Sequence, residues 1–236
     1  MKAALAYLRR ATVPGEFMDA VVDLVGREAA QPAAERLIGD RIFRLKFPPY
    51  PNLGRNKLVR EFLDTCPVEV DRLVMTDDDN VFAAWQVPAL CECVSAVQPV
   101  VSGLYFAWDE DRQRARPILL DERGKTLWDY PAGLIERGTV GMGFCAIHRS
   151  VLETWRARHG DTWFDYATDE AGGFVIEDRA FCRRVRSLGL PILVHTQIRV
   201  GHMKLVDVNE ALFAAQRARP GLPGESNNDS RAAARE

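Results

Sequence analysis

Short apolar runs alternate along this chain with segments whose apolar residues recur at helical spacing, and that alternation restricts the fold more than any other feature. Residues 2–8 (Lys2-Ala3-Ala4-Leu5-Ala6-Tyr7-Leu8) predict a buried strand. A turn at Val13-Pro14-Gly15 follows, and Phe17, Val21, Val22, Leu24 and Val25 then predict a helix that stops near Gly26. A second strand within residues 36–47 meets the breaker Pro48-Pro49-Tyr50-Pro51, after which residues 54–63 read as an amphipathic helix through Leu58, Val59, Phe62 and Leu63. Further strands are expected at 72–76, 99–105, 140–147 and 191–195, with another apolar piece at 198–202. Helices are expected at 88–97, at 150–159 and from Glu177-Asp178 to Gly189. Strand and helix in alternation imply an α/β fold, with a mostly parallel central sheet and helices on both faces.

The chain has 236 residues, enough to bury one substantial α/β core. Residues 1–207 are expected to form that domain. Residues 208–236, where composition turns to Gly, Pro, Ser, Asn, Ala and charge from Pro220, read as a helix remnant and mobile tail. Residues 106–139 carry short apolar pieces among charges and suit a small hairpin-like insertion. A formal charge of −2 gives no global pull toward nucleic acid or anionic membrane. No apolar run approaches the roughly 20 residues of a spanning helix and no signal peptide is evident, so no membrane insertion and a cytoplasmic location are expected. The five cysteines are scattered, which argues against both a disulfide framework and a zinc site.

The strongest chemical signal is Asp77-Asp78-Asp79-Asn80, which follows directly on the apolar run 72–76. The carboxyl ends of such strands are where open α/β sheets bind ligands. On extended chain Asp77 and Asp79 point to one side, and their oxygens suit Mg²⁺ or Mn²⁺ and the diphosphate such an ion bridges. His202, after Gly201 at the end of the last strand, becomes a candidate third ligand only if it meets that cluster; by itself it reads as a structural histidine. Glu177-Asp178 opens a helix, where capping explains two carboxylates as well as a general base does. No G-x-x-x-x-G-K-[ST] loop, no G-x-G-x-x-G after the first strand and no G-x-S-x-G elbow is present, which weighs against P-loop kinases, dinucleotide dehydrogenases and α/β hydrolases.

In order, Arg55-Asn56-Lys57-Leu58-Val59, Leu73-Val74-Met75-Thr76-Asp77-Asp78-Asp79, Val101-Ser102-Gly103-Leu104-Tyr105, Gly141-Met142-Gly143-Phe144, Glu177-Asp178-Arg179-Ala180-Phe181-Cys182 and Val200-Gly201-His202 resemble the GT-A glycosyltransferases. The likeness is strongest to family-2-like members, including compact ones encoded by bacteriophages, in which case the location would be the host cytoplasm. It implies a Rossmann-like nucleotide-diphospho-sugar transferase fold and transfer of a sugar from a nucleoside-diphosphate sugar, a UDP-sugar first among donors, to an acceptor hydroxyl. By the same resemblance Asp77, Asp79 and His202 would hold Mn²⁺ or Mg²⁺, and Asp178, beside Glu177, would be the base of inverting members. Tyr7, Arg9, Arg55, Asp77 and Asp78 would border the nucleotide. The proline-threonine usual after the first strand is here Leu8-Arg9-Arg10, so the nucleobase is left open.

Two other readings stay in view: a nucleotidyltransferase, which would release pyrophosphate, and a non-catalytic nucleotide-sugar-binding module. The acceptor is unassigned among glycan, small molecule and modified DNA base. The arginines at 112, 114 and 116 and at 183, 184 and 186 could contact phosphates, although solvated faces explain them as well.

Overall fold

A computed structural model describes residues 1–46, 48–109, 114–204 and 210. From the N-terminus the chain forms β1 (Ala3–Arg9), α1 (Gly15–Ala29), β2 (Ile42–Lys46), α2 (Pro51–Thr65) and β3 (Arg72–Asp77). A short return strand β4 (Asn80–Val81) leads to α3 (Gln86–Glu92), β5 (Val100–Leu104) and the paired strands β6 (Phe106–Asp109) and β7 (Arg114–Pro117). Then come β8 (Leu134–Glu136), β9 (Phe144–His148), α4 (Arg149–His159) and the hairpin of β10 (Ala167–Thr168) with β11 (Phe174–Val175). The last elements are α5 (Glu177–Ser187), β12 (Ile192–Arg199) and β13 (Gly201–His202).

The contacts divide the chain into a larger unit, Met1–Ala107 with Arg116–Met203, and a smaller one, Trp108–Ala115 with Lys204–Glu236. The larger unit holds the sheet and every residue discussed below. Of the smaller unit, the described residues include the ends of β6 and β7. The expected tail after residue 207 lies outside the described residues, Glu210 apart. Among the described residues no helix is long and apolar enough to cross a membrane.

Seven strands form the main sheet in the order β2-β1-β3-β9-β5-β12-β8. Five of them run one way, while β9 runs against β3 and β5, and β8 runs against β12. Side chains that alternate along each strand feed two cores. Ala4, Ala6, Leu8, Leu73, Met75, Cys145 and Ile147 pack with Leu58, Val59 and Phe62 of α2, Leu152 of α4 and Phe181 of α5. Ala3, Leu5, Tyr7, Val74, Phe144 and Ala146 pack on the other side with Phe17, Val21 and Leu24 of α1 and Val87 and Leu90 of α3. A strand covered on both faces has no polar side, which explains why β1 reads as one apolar run. Truncating such a fully buried residue, Leu5→Ala for example, costs about 2–5 kcal/mol.

Several boundaries differ from those expected, each for a local reason. Gly26 does not stop α1, which continues to Ala29; a mid-helix glycine costs about 1 kcal/mol but does not break the ladder. Pro51 belongs to α2, not to the loop, because the first helical position needs no amide donor. The helix expected at 88–97 is instead α3, ended early by a turn in which Ser95 and Gln98 exchange backbone hydrogen bonds. Residues 134–136, expected within the insertion, are the edge strand β8 of the main sheet. The strand expected from Val140 begins at Phe144, since Val140–Gly143 form a loop that shapes the site.

Candidate active site

The carboxyl ends of β1, β3, β5 and β12 face one edge of the sheet, and β9, running the other way, starts there. That edge therefore gathers Arg10, the acidic residues after Thr76, Tyr105, the Gly141–Gly143 loop and His202. The chain ties itself together across it: the Asp77 amide donates to the Gly143 carbonyl at 3.1 Å, Val200 to Leu104 at 3.0 Å and Met203 to Asp79 at 2.7 Å.

Asp77 is the last residue of β3, Asp78 and Asp79 make a turn, and Asn80 already pairs with His202 across β4 and β13. The expectation that Asp77 and Asp79 share one side of an extended chain is corrected by that turn, which sends the two carboxylates to different cations. Asp77 Oδ1 accepts from Arg55 Nη2 at 3.1 Å. Asp79 Oδ2 accepts from Arg10 Nη2 at 2.7 Å, and buried Asp78 accepts from the Arg10 backbone amide at 2.6 Å and faces its Nε at 3.2 Å. The Asp79 hydrogen bond first, and then the charges of Asp79, Asp78 and Asp77, outweigh partial burial and hold the Arg10 guanidinium above its ordinary pKa.

His202 does meet the acidic turn. Its Nε2 stands 3.4 Å from Asp79 Oδ1, while Nδ1 lies 2.8 Å from the Phe106 carbonyl, which can only accept. The Phe106 carbonyl thereby accepts from Nδ1, and Nε2 is turned toward the Asp79 carboxylate, an imidazole nitrogen beside an oxygen as in a mixed divalent-cation site. Two ligands on adjacent corners of an octahedron with bonds of ~2.1 Å stand about 3 Å apart, close to this spacing. Among the described residues no three His, Cys, Asp or Glu side chains gather as a closed metal cage. The pair suits an ion that takes its remaining oxygens from substrate phosphates and water, as Mg²⁺ and its relatives do.

On the other side of Tyr105 lies a second, buried cluster. Arg55, only 5% exposed, faces Asp77 at 3.1 Å, Asp178 Oδ1 at 3.5 Å and Glu177 Oε1 at 3.8 Å. Burial opposes its charge, but Asp77, Asp178 and Glu177 together raise its pKa. Burial pushes the Asp178 carboxyl up to about 6; Arg55 and the Met142 amide pull it down, while Glu177 and Asp77 push it further up. Asp178 Oδ2 accepts from the Met142 amide at 3.1 Å, whereas Oδ1 has no hydrogen-bond partner in the structure. Such a carboxylate is oriented, desolvated and able to take a proton.

Tyr105 joins the two clusters. Its ring packs edge-on against His202 at 5.5 Å, and its Oη accepts from the Gly143 amide at 3.3 Å. Burial, followed by Asp178 and Asp77, raises its hydroxyl pKa well above the ordinary value. A β-carbon on Gly141 would overlap Tyr105 Oη, and one on Gly143 would stand 2.8 Å from Asn80 Nδ2, so both glycines serve close approach.

The structure thus brings Asp77, Asp78, Asp79, His202, Arg55, Glu177 and Asp178 to one edge. Tyr7 is instead 4% exposed, its ring packed edge-on against Phe17 at 5.2 Å. Arg9 ends β1 as an exposed residue, and Arg10 is the arginine on the acidic turn. Arg10, Tyr105 and Asn80 were missed as site residues, although all three lie in or beside the motifs. Of the other candidate arginines, Arg116 is engaged with Thr126, Arg184 with the Trp163 carbonyl and Arg186 with Glu122, while Arg112 lies outside the described residues.

No family model matches the chain, and no curated protein sequence matches it. Solved structures do. A197 from STIV is similar over 87% of this chain and 87% of its own, at 16% identity and a TM-score of 0.54. GalNAc-T7, whose crystal structure contains UDP, GalNAc and Mn²⁺, is similar over 88% of this chain at 12% identity and a TM-score of 0.52; this chain spans only 44% of it. Identities this low establish architecture, and the architecture is that of the GT-A glycosyltransferases.

Proposed function

We propose that the chain is a metal-dependent glycosyltransferase that uses a nucleoside-diphosphate sugar, with Asp178 as the base for the acceptor hydroxyl. The observation that carries this reading is the pairing, across Tyr105, of the Asp79–His202 contact with a buried Asp178 carboxylate whose pKa is raised. GalNAc-T7, with its UDP and Mn²⁺, makes a UDP-sugar and Mn²⁺ the first ligands to try.

Asp79 and His202 are the residues that would hold Mn²⁺ or Mg²⁺, with Asp77 drawn off to Arg55; bound there, the ion would offset charge growing on the departing diphosphate. The Met142 amide orients Asp178 through Oδ2, Arg55 stands 3.5 Å from the buried Oδ1, and the exposed part of the carboxylate is left for the acceptor. In transfer, the acceptor oxygen bonds the donor's anomeric carbon as that carbon's bond to the diphosphate breaks. The electron pair leaves on the diphosphate, and the acceptor proton goes to the Asp178 carboxylate. Arg55 keeps Asp77 and Asp178 apart and partly neutralised, so that one carboxylate can stay ionised beside the other.

The test is a panel of nucleotide sugars with Mn²⁺, read by mass spectrometry. Release of nucleoside diphosphate and free sugar is expected, because water slowly replaces a missing acceptor. Release of pyrophosphate would assign a nucleotidyltransferase. Tight donor binding with no turnover would leave a binding module.

A further inference from the structure

The base reading leaves the acceptor unnamed, and the segment that leads into Asp178 bears on it. Between Phe164 and α5 the chain makes the β10–β11 hairpin, pairing Ala167 with Val175 and Thr168 with Phe174. Val175 is 1% exposed and points into the core, so its neighbours on either side point outward. Phe174 is 69% and Ile176 49% exposed, and the half-buried Tyr166 ring lies 4.9 Å from that of Phe174 at a tilt of 49°. Burial, then the charges of Glu177 and Tyr50, hold the Tyr166 hydroxyl above its ordinary pKa, which places it within electrostatic reach of the start of α5.

This aromatic face is rigidly carried. Asp169 Oδ1 accepts from Ala171 at 3.1 Å and Gly173 at 2.7 Å, and Gly172 takes the positive φ of 83° that closes the turn. At the other end Asn56 of α2 donates to Asp165 at 2.6 Å and accepts from the Phe164 amide at 2.8 Å, next to Arg55 in sequence. Asp178 lies four residues on from Phe174, a reach of at most ~14 Å and within the length of a short oligosaccharide.

Charge narrows the occupant. Asp161 pairs with Arg60 and Arg156, Asp165 with Asn56, and Glu177 and Asp178 face Arg55, while the hairpin itself carries Asp169 and Glu170 and no Lys or Arg. It therefore offers no cation of its own to a polyphosphate backbone. Ionised carboxylates only accept hydrogen bonds, which suits a ligand edged with hydroxyl donors, and aromatic rings suit its apolar C–H face. A sugar ring has both.

We propose, building on the transferase reading above, that the outward face of the β10–β11 hairpin is the acceptor subsite and takes an uncharged saccharide, stacked on Phe174 and Tyr166 with a hydroxyl presented to Asp178. Phe174 and Tyr166 act by placing that sugar, and the chemistry stays with Asp178.

Saturation-transfer NMR of methyl glycosides of glucose, galactose, xylose and N-acetylglucosamine, with UDP and Mg²⁺ present, tests this; a short duplex DNA and a serine-containing peptide serve as rivals. At least one glycoside should take saturation at its ring C–H protons. Phe174→Ala should weaken it about five-fold and Phe174→Trp restore it, while calorimetry shows UDP binding unchanged. If UDP binds but no glycoside does, or Phe174→Ala leaves glycoside binding intact, the subsite is wrong. DNA or peptide binding that Phe174→Ala removes would overturn it in favour of that ligand. Glycoside binding without any UDP binding would instead sink the transferase reading and the acceptor role with it.

Discussion

Arg10 and Arg55 each grip the Asp77–Asp79 segment, yet they do different work because one is wet and the other is not. The Arg10 side chain is 53% exposed and holds Asp78 and Asp79 from the solvent side. That of Arg55 is 6% exposed and stands among Asp77, Glu177 and Asp178. An exposed ion pair is screened and contributes little, whereas a buried one cannot lose a partner without stranding charge. Arg10 is therefore a counterion that can be exchanged at small cost, and Arg55 is part of the frame.

Five substitutions, two of them used as a pair, probe this contrast. The largest effect is expected from Asp178→Asn, which should lower transfer about 10²–10⁴-fold in kcat, measured by nucleoside diphosphate release. In the wild-type protein kcat/KM should fall as pH drops through about 6, where Asp178 gains its proton. The sign for stability is opposite. The folded-state pKa is raised, so between about 4 and 6 only the folded chain holds the proton, and stability falls as pH rises through that window. Asp178→Asn should thus melt higher than wild type at pH 8, by up to about 3 kcal/mol, and lose the advantage below pH 4. An unchanged melting temperature at pH 8 would mean that the carboxylate is well solvated.

Arg55→Met should destabilise by about 3–5 kcal/mol in urea titration, since three carboxylates lose their common cation. Recovery of most of that loss at pH 5 would confirm that stranded charge is the cause. Gly141→Ala should cost about 1–3 kcal/mol, because its methyl group displaces the Tyr105 hydroxyl, and pairing it with Tyr105→Phe should return part of the loss. Arg10→Ala should change stability by less than about 1 kcal/mol, yet bind Mn²⁺ alone several-fold more tightly by electron paramagnetic resonance, as Asp79 is released. Weaker Mn²⁺ binding in that variant would make Arg10 a builder of the cation site, not its competitor.

Much of this layout was readable beforehand. Strands buried on both faces announce themselves as apolar runs, and the acidic residues after Met75-Thr76, the Glu177-Asp178 pair and the Gly201-His202 ending stood out as an ordered set. What could not be read is how close packing distributes them. The turn at Asp78 separates Asp77 from Asp79, and nothing in a run of three aspartates says where a strand stops. That Arg10 and not Arg9 reaches the turn depends on how the chain leaves β1. The part played by Tyr105 rests on two glycines letting its ring in, a tertiary fact. Likewise β8 reads as insertion because three residues carry no period of their own, and β12 alone recruits them.

The reversed strand β9 also affects how the chain is built. It lies between β3 and β5, joining the two halves of the sheet, which otherwise meet through the β4–β13 pair and helix α3. During synthesis the strands made first must wait, edges bare, until about residue 148 has left the ribosome. A nascent chain stalled earlier leaves β3 and β5 with bare edges that attract chaperones or one another, and the sheet is complete only after β12 (Ile192–Arg199) has paired with β5 and β8.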